Sequence, residues 1–187
     1  VIAILSIITG TLFMLLYNSK RTAAMVDAKT VAQDNARTVL MVVARELRQA
    51  EAGLNNLTIP VSKDSLTYRI ATDVDGNGWP VDSEGKIEFS GLRTIQADVD
   101  DLNGDGVTLT QLVRIEGSGI DMKVKVLTSN LAPTNGISFE LEGLNSSSIT
   151  IAVTCAEVFG YGDKAIELRS TMTETVTARN EAEDNSV

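Results

Sequence analysis

Two periodicities divide this chain. From Val1 to Tyr17 it reads VIAILSIITGTLFMLLY, apolar on all sides, and the first charge is Lys20. Nineteen uncharged residues reach about 28 Å as a helix, close to the hydrocarbon thickness of a bilayer. Next come apolar or small residues at Met25, Ala28, Ala32, Ala36, Val39, Val43, Leu47, Ala50 and Leu54, in steps of three or four. That is the α-helical period, so one stripe faces a partner surface while Lys29, Gln33, Arg37 and Arg48 lie off it. No glycine falls between Gly10 and Gly53, and no proline precedes Pro60. One helix of about 80 Å is therefore expected to run to residue 54, with Gly53 and Asn55-Asn56 as its stop. A cleavable secretory signal would need a basic start and a cleavage site before a loop, whereas more helix follows here.

Beyond residue 56 the period falls to two and β-branched residues become frequent. Strands are expected at Leu66 to Ile70, Lys86 to Phe89, Thr108 to Ile115, Met122 to Leu127, Gly136 to Leu141, Ile149 to Ala156 and Leu168 to Ala178. Ile137, Phe139 and Leu141 alternate with Ser138, Glu140 and Glu142, and Ile149, Ile151, Val153 and Cys155 repeat the alternation, as half-buried antiparallel strands do. The expected fold is α+β: a long N-terminal helix, apolar in its first half and amphipathic in its second, packed on an antiparallel β-sheet. The divisions are residues 1–23 for the membrane or core half of the helix, 24–54 for the amphipathic half, 55–180 for a β-rich head and 181–187 for a flexible tail. Ala32, Ala36, Val39, Val43 and Leu47 are expected to pack the helix on the head. The first half has no cover within the chain, so its partners are lipid or other subunits.

Composition narrows the chemistry. The 187 residues carry a formal net charge of −9, which repels nucleic-acid phosphates, so no nucleic-acid partner is evident. There is no histidine, and Cys155 is the only cysteine. Ser-His-Asp and Cys-His catalytic sets and a Cys/His zinc site therefore lack material, and no enzyme is expected. Cys155 reads as a small buried hydrophobe or as half of an intermolecular disulfide. Glu140 and Glu142 share the solvent side of one strand and read as a solvated face.

Residues 73 to 84 fit the calcium-loop template D-x-[DN]-x-[DN]-G-x5-E, with Asp73, Asp75 and Asn77 as oxygen donors, Gly78 at the turn and Glu84 as the bidentate ligand. The strand-like flanks and Pro80 equally suit a hairpin loop without metal. A second acidic run offers Asp101, Asn103 and Asp105 before Gly106 as oxygen donors, but its twelfth position is Leu112, so it reads as a turn first and as a metal site lacking the bidentate ligand second. Ca2+ is the one cofactor the sequence raises, as a brace for loops. Gly10 either admits another helix closely or is a tolerated glycine. Phe13 and Tyr17, four apart, can stack at a subunit interface.

The greasy helix running unbroken into an amphipathic one, then a β-rich head, resembles the type IV pilin and pseudopilin family. VIAILSII looks like the family's segment after its Phe-Thr-Leu-Ile-Glu-like start, and ARELRQAEAGL is similar to the stretch ending the long helix in PilW-type minor pilins. LTYRI before DVDGNG, then LAPTNGISFEL and TVTARN, also look like that group. The family's cleavage site and the glutamate that pairs with a neighbour's N-terminus are not among these residues. The resemblance implies a structural subunit that waits in the inner membrane and is lifted by pilus assembly machinery into an extracellular filament of identical or related pilin subunits. Its core would be built on Val1, Ile4, Leu5, Ile8, Leu12, Phe13, Leu16 and Tyr17. Two alternatives stay open: a minor pilin or type II secretion pseudopilin that primes or caps a fibre, and a single-span extracytoplasmic binding or sensor domain. Lys20 and Arg21 directly follow the apolar run, which the positive-inside rule sets in the cytoplasm. Two charges are few, and the acidic head is expected outside.

Overall fold

The computed structural model describes residues 2–52, 57–117, 121–143, 148–160, 165–178 and 180–181. Val1, the Gly53–Asn56 stop signal with Leu54, and the tail beyond Glu181 lie outside the described residues. The chain is one long N-terminal helix packed on antiparallel sheets, an α+β arrangement.

Helix α1 (Ile2–Leu47) has 46 residues and is about 69 Å long. It ends before the expected residue 54 because its last turn tightens. Gln49 N–H donates to the Glu46 carbonyl and Ala50 N–H to Leu47, three residues back rather than four. Sheet pairing then takes over: Ala50 bridges Ile70, and β1 (Glu51–Ala52) pairs in parallel with β9 (Asn180–Glu181). Every stripe residue from Ala32 to Ala50 is buried, and Met25 and Ala28 are half-buried. Leu40 and Ala44 are buried too. The covered face is wider than one row because α1 lies across two strands, β7 (Ser148–Phe159) and β8 (Ile166–Thr177).

The remaining strands are β2 (Ser65–Tyr68), β3 (Arg93–Ala97), β4 (Leu112–Glu116), β5 (Lys123–Thr128) and β6 (Ile137–Leu141). They make two antiparallel sheets where one was expected, ordered β2-β3-β4-β5 and β6-β7-β8. The alternation read from sequence sets the faces. Phe139, Ile149, Ile151, Val153 and Cys155 are wholly buried under the helix, while Ser138 and Glu140 are exposed. Between β7 and β8 the outward rows are joined by hydroxyl pairs, Thr150 with Thr175 at 2.8 Å and Thr154 with Thr171 at 2.8 Å.

The expected strand over residues 86–89 is reduced to two isolated bridges, Ala71 to Phe89 and Val81 to Ile87. The strand expected from Thr108 begins at Leu112 instead. Leu109 takes a left-handed φ of 66° and donates its N–H to the Asp98 carbonyl, which folds 98–111 into a loop. β3 was not foreseen; Ile95 is its one large apolar residue, and two flanking strands supply its pairing.

Between the sheets and the last turn of α1 sits a polar cluster. Glu46 accepts hydrogen bonds from the Tyr68 hydroxyl and from Arg114, whose other terminal nitrogen lies 2.8 Å from Glu116. Arg93 approaches Glu116 at 3.5 Å. Three strands of the four-stranded sheet thereby meet one residue of the helix or its immediate partners.

Candidate functional site

The first half of α1 is one candidate. Ile4, Leu5, Ile8, Leu12, Phe13, Leu16 and Tyr17 are all exposed, with Phe13 at 74%. The helix is long and apolar enough to cross a membrane, and none of its most apolar window is buried. Covering side chains of this size is worth about 1.5–3 kcal/mol each, so leaving them in water is strongly unfavourable. The polar groups on this stretch are already spent. Ser6 donates to the Ile2 carbonyl, Thr9 to Leu5 and Thr11 to Ile8, so these hydroxyl protons need no water in an apolar surrounding. A Cβ added at Gly10 would meet nothing within 4 Å. Gly10 floors a shallow groove walled by Leu5, Phe13, Met14 and Tyr17, which puts Phe13 and Tyr17 on one face.

The first acidic loop is knit by its own backbone. Asp73 Oδ1 accepts the N–H groups of Gly76 and Asn77, and Oδ2 accepts that of Gly78 at 2.8 Å. Gly76 and Gly78 hold φ of 80° and 91°, which lets successive N–H groups turn inward. The Asn77 amide donates to Asp75 and to the Val81 carbonyl. Carboxylate oxygens of Asp73, Asp75 and Glu88 lie within 4.8 Å of one another. Glu84 is outside this group and pairs with Lys86 at 3.2 Å. The template counts along the chain, whereas Glu88 arrives across the hairpin, its carboxylate accepting the Val74 N–H at 2.7 Å. No sequence spacing signals that.

In the second loop both Asp101 carboxylate oxygens face the Gly106 N–H. Asn103 and Asp105 close a ring with Gln111, which is buried and which sequence reading missed. Asp98 is fully buried; one oxygen accepts the Leu102 N–H, and the other has no partner among the described residues.

The backbone N–H of Gly78 foremost, then those of Gly76 and Asn77 with Asp75, hold the Asp73 carboxyl below its ordinary range. A folded-state pKa below the unfolded one stabilises the loop above the unfolded pKa, and that contribution disappears as pH falls through the folded value. Lowering the pH below the ordinary carboxylate range should therefore loosen residues 73–78 first. Amide exchange at Gly76 and Gly78 should quicken at least about tenfold in Asp73→Ala at neutral pH, with little change in the melting temperature. Unchanged exchange would show that the carboxylate does not hold the loop.

Cys155 is a buried free thiol, and desolvation, with Glu157 nearby, pushes its pKa up to about 11. It is a core residue of β7, shut away from a partner chain in this conformation. Glu140 is exposed and pairs with Lys63 at 2.8 Å, while Glu142 accepts from Thr150 and Thr175. No protein-family model, curated protein or solved structure matches this chain.

Proposed function

We propose that the chain is a structural subunit of an extracellular, type IV pilus-like filament, held in the inner membrane before assembly and then packed with identical or related subunits through residues 1–24. The observation that carries this reading is the division of α1. From Ile2 to Ala24 every residue is exposed, and from Ala32 the same unbroken helix is docked on the head. A rod anchored at one end by a folded domain and uncovered at the other suits lipid first and neighbouring rods later. Apolar burial is kept when lipid is exchanged for protein, while close helix packing adds dispersion contacts. Repeated head-to-tail contacts that do not close give a helical fibre.

The test uses two cysteines on opposite sides of the rod, Ile4→Cys with Phe13→Cys, in the cellular protein. Each subunit can then link to two neighbours, so oxidation of shed fibres should give a ladder of trimers and larger species. A permanently anchored single-span sensor gives monomers and dimers only, and that result would reject the filament. Cys155, fully buried, stays out of the reaction.

A further inference from the structure

We infer that the seam between the two sheets is a binding cleft for a short neutral saccharide of one or two rings. The cleft has a volume of about 460 Å³, within the range of about 300–1,000 Å³ common for small-ligand sites. Three separate chain segments build it: the turn before β2, the end of β3 with the β3–β4 loop, and the β5–β6 connection with the start of β6. None of its lining comes from α1, so the site belongs to the head alone and does not rest on the filament reading.

Left-handed backbone converges here. Among the described residues four non-glycine positions have left-handed φ, and three of them border this cleft: Lys63 at 58°, Leu109 at 66° and Asn135 at 54°. Lys63 sits between Ser62 and Asp64, both of which line the cleft, and Leu109 and Asn135 line it directly. For a leucine this conformation is strained, and such strain persists where surrounding contacts fix it and clusters at ligand clamps. The floor is rigid as well. A Cβ at Gly136 would lie 2.4 Å from the Ala132 carbonyl oxygen and 2.4 Å from Leu131 Cγ, so the backbone there is packed to contact.

The lining selects the ligand. Asp64 accepts from Ser62 at 2.6 Å through one carboxylate oxygen, and its other has no partner among the described residues. The side chains of Asn135 and Ser138 make no hydrogen bond among the described residues, and both are exposed. A carboxylate, an amide and hydroxyls together can donate to and accept from adjacent ligand hydroxyls. Pro133, Val99 and Leu109 are exposed and add apolar surface for the C–H faces of a ring. An anionic ligand is disfavoured, because Lys63 and Arg169, the cations beside the lining segments, are already paired with Glu140 and Glu167 and the chain carries a net charge of −9.

The full chain in detergent micelles would be examined by saturation-transfer NMR with maltose, cellobiose, lactose and N,N′-diacetylchitobiose, and separately with spermidine as a cationic probe. At least one disaccharide should receive transfer. Asp64→Asn should weaken that binding about two- to tenfold, the worth of one or two hydrogen bonds. Ser138→Trp, at an exposed strand position that tolerates an aromatic, should fill the cleft and abolish transfer, while Lys125→Gln on β5 leaves it unchanged. Circular dichroism confirms that each variant is folded. Absence of transfer to all four sugars overturns the inference. So does transfer that survives Ser138→Trp, or Asp64-dependent binding of spermidine alone.

Discussion

A chain lacking residues 1–24 should be soluble without detergent and monomeric at every concentration tested by size exclusion with light scattering, whereas the full chain should need detergent or assemble. Residues 2–24 are exposed throughout, so their loss removes no buried contact from the head. Urea unfolding of the truncated chain should therefore match that of the full chain's head within about 0.5 kcal/mol, the spread of surface changes. The two measurements separate two causes. If the truncated head is unstable, the apolar segment is part of its core. If it is stable yet still polymerises, assembly is driven by head surfaces instead, and the proposed function loses its basis.

What was legible in the sequence follows from how local each cause is. The helix and its buried stripe could be read because helix period and amphipathicity are properties of one segment; Ala32, Ala36, Val39, Val43 and Leu47 are all buried where the spacing put them. The alternation in β6 and β7 was equally local, since Ile137 and Phe139 face the core on the same grounds as Ile149 to Cys155. β3 was hidden because Arg93, Thr94 and Gln96 carry no hydrophobic signal of their own. Its strand conformation is imposed by β2 on one side and β4 on the other. Residues 86–89 show the converse: Ile87 and Phe89 alternate properly, but loop hydrogen bonds hold the segment to single bridges.

The acidic loops divide the same way. The placement of Gly76, Gly78, Gly104 and Gly106 in left-handed conformations follows from turn chemistry that short spacing reveals. Glu88, Asp98 and Gln111 act across the loops, so only the folded chain brings them in. Gln111 in particular joins Asn103 and Asp105 into a closed ring, an arrangement no linear template encodes.

The largest single-residue effect should come from Glu46. Its carboxylate accepts from Tyr68 and Arg114, and the side chains of Glu46 and Arg114 are only 13% and 17% exposed. Burial foremost, then the hydrogen bond and charge of Glu46, raise the Tyr68 pKa, so the phenol remains a donor. Replacing Glu46 by alanine leaves Arg114 and the Tyr68 hydroxyl buried without their shared acceptor. Removing one partner of such a buried set costs about 3–5 kcal/mol, a large part of the stability of a domain this size.

Desolvation opposes the pair itself, however, and this makes a second variant decisive. Glu46→Leu with Tyr68→Phe and Arg114→Met removes the carboxylate, the phenol hydroxyl and the guanidinium together while keeping similar volume, and it leaves Glu116 with Arg93, at 3.5 Å, as its partner. Urea unfolding of this triple variant should recover most of the loss seen in Glu46→Ala. If the triple variant is as unstable as the single one, the ions themselves hold the helix to the four-stranded sheet, and apolar packing at this joint is secondary. If it recovers, the cluster chiefly sets where the last turn of α1 meets β2 and β4, because Glu46, next to the last residue of α1, accepts from both Tyr68 and Arg114.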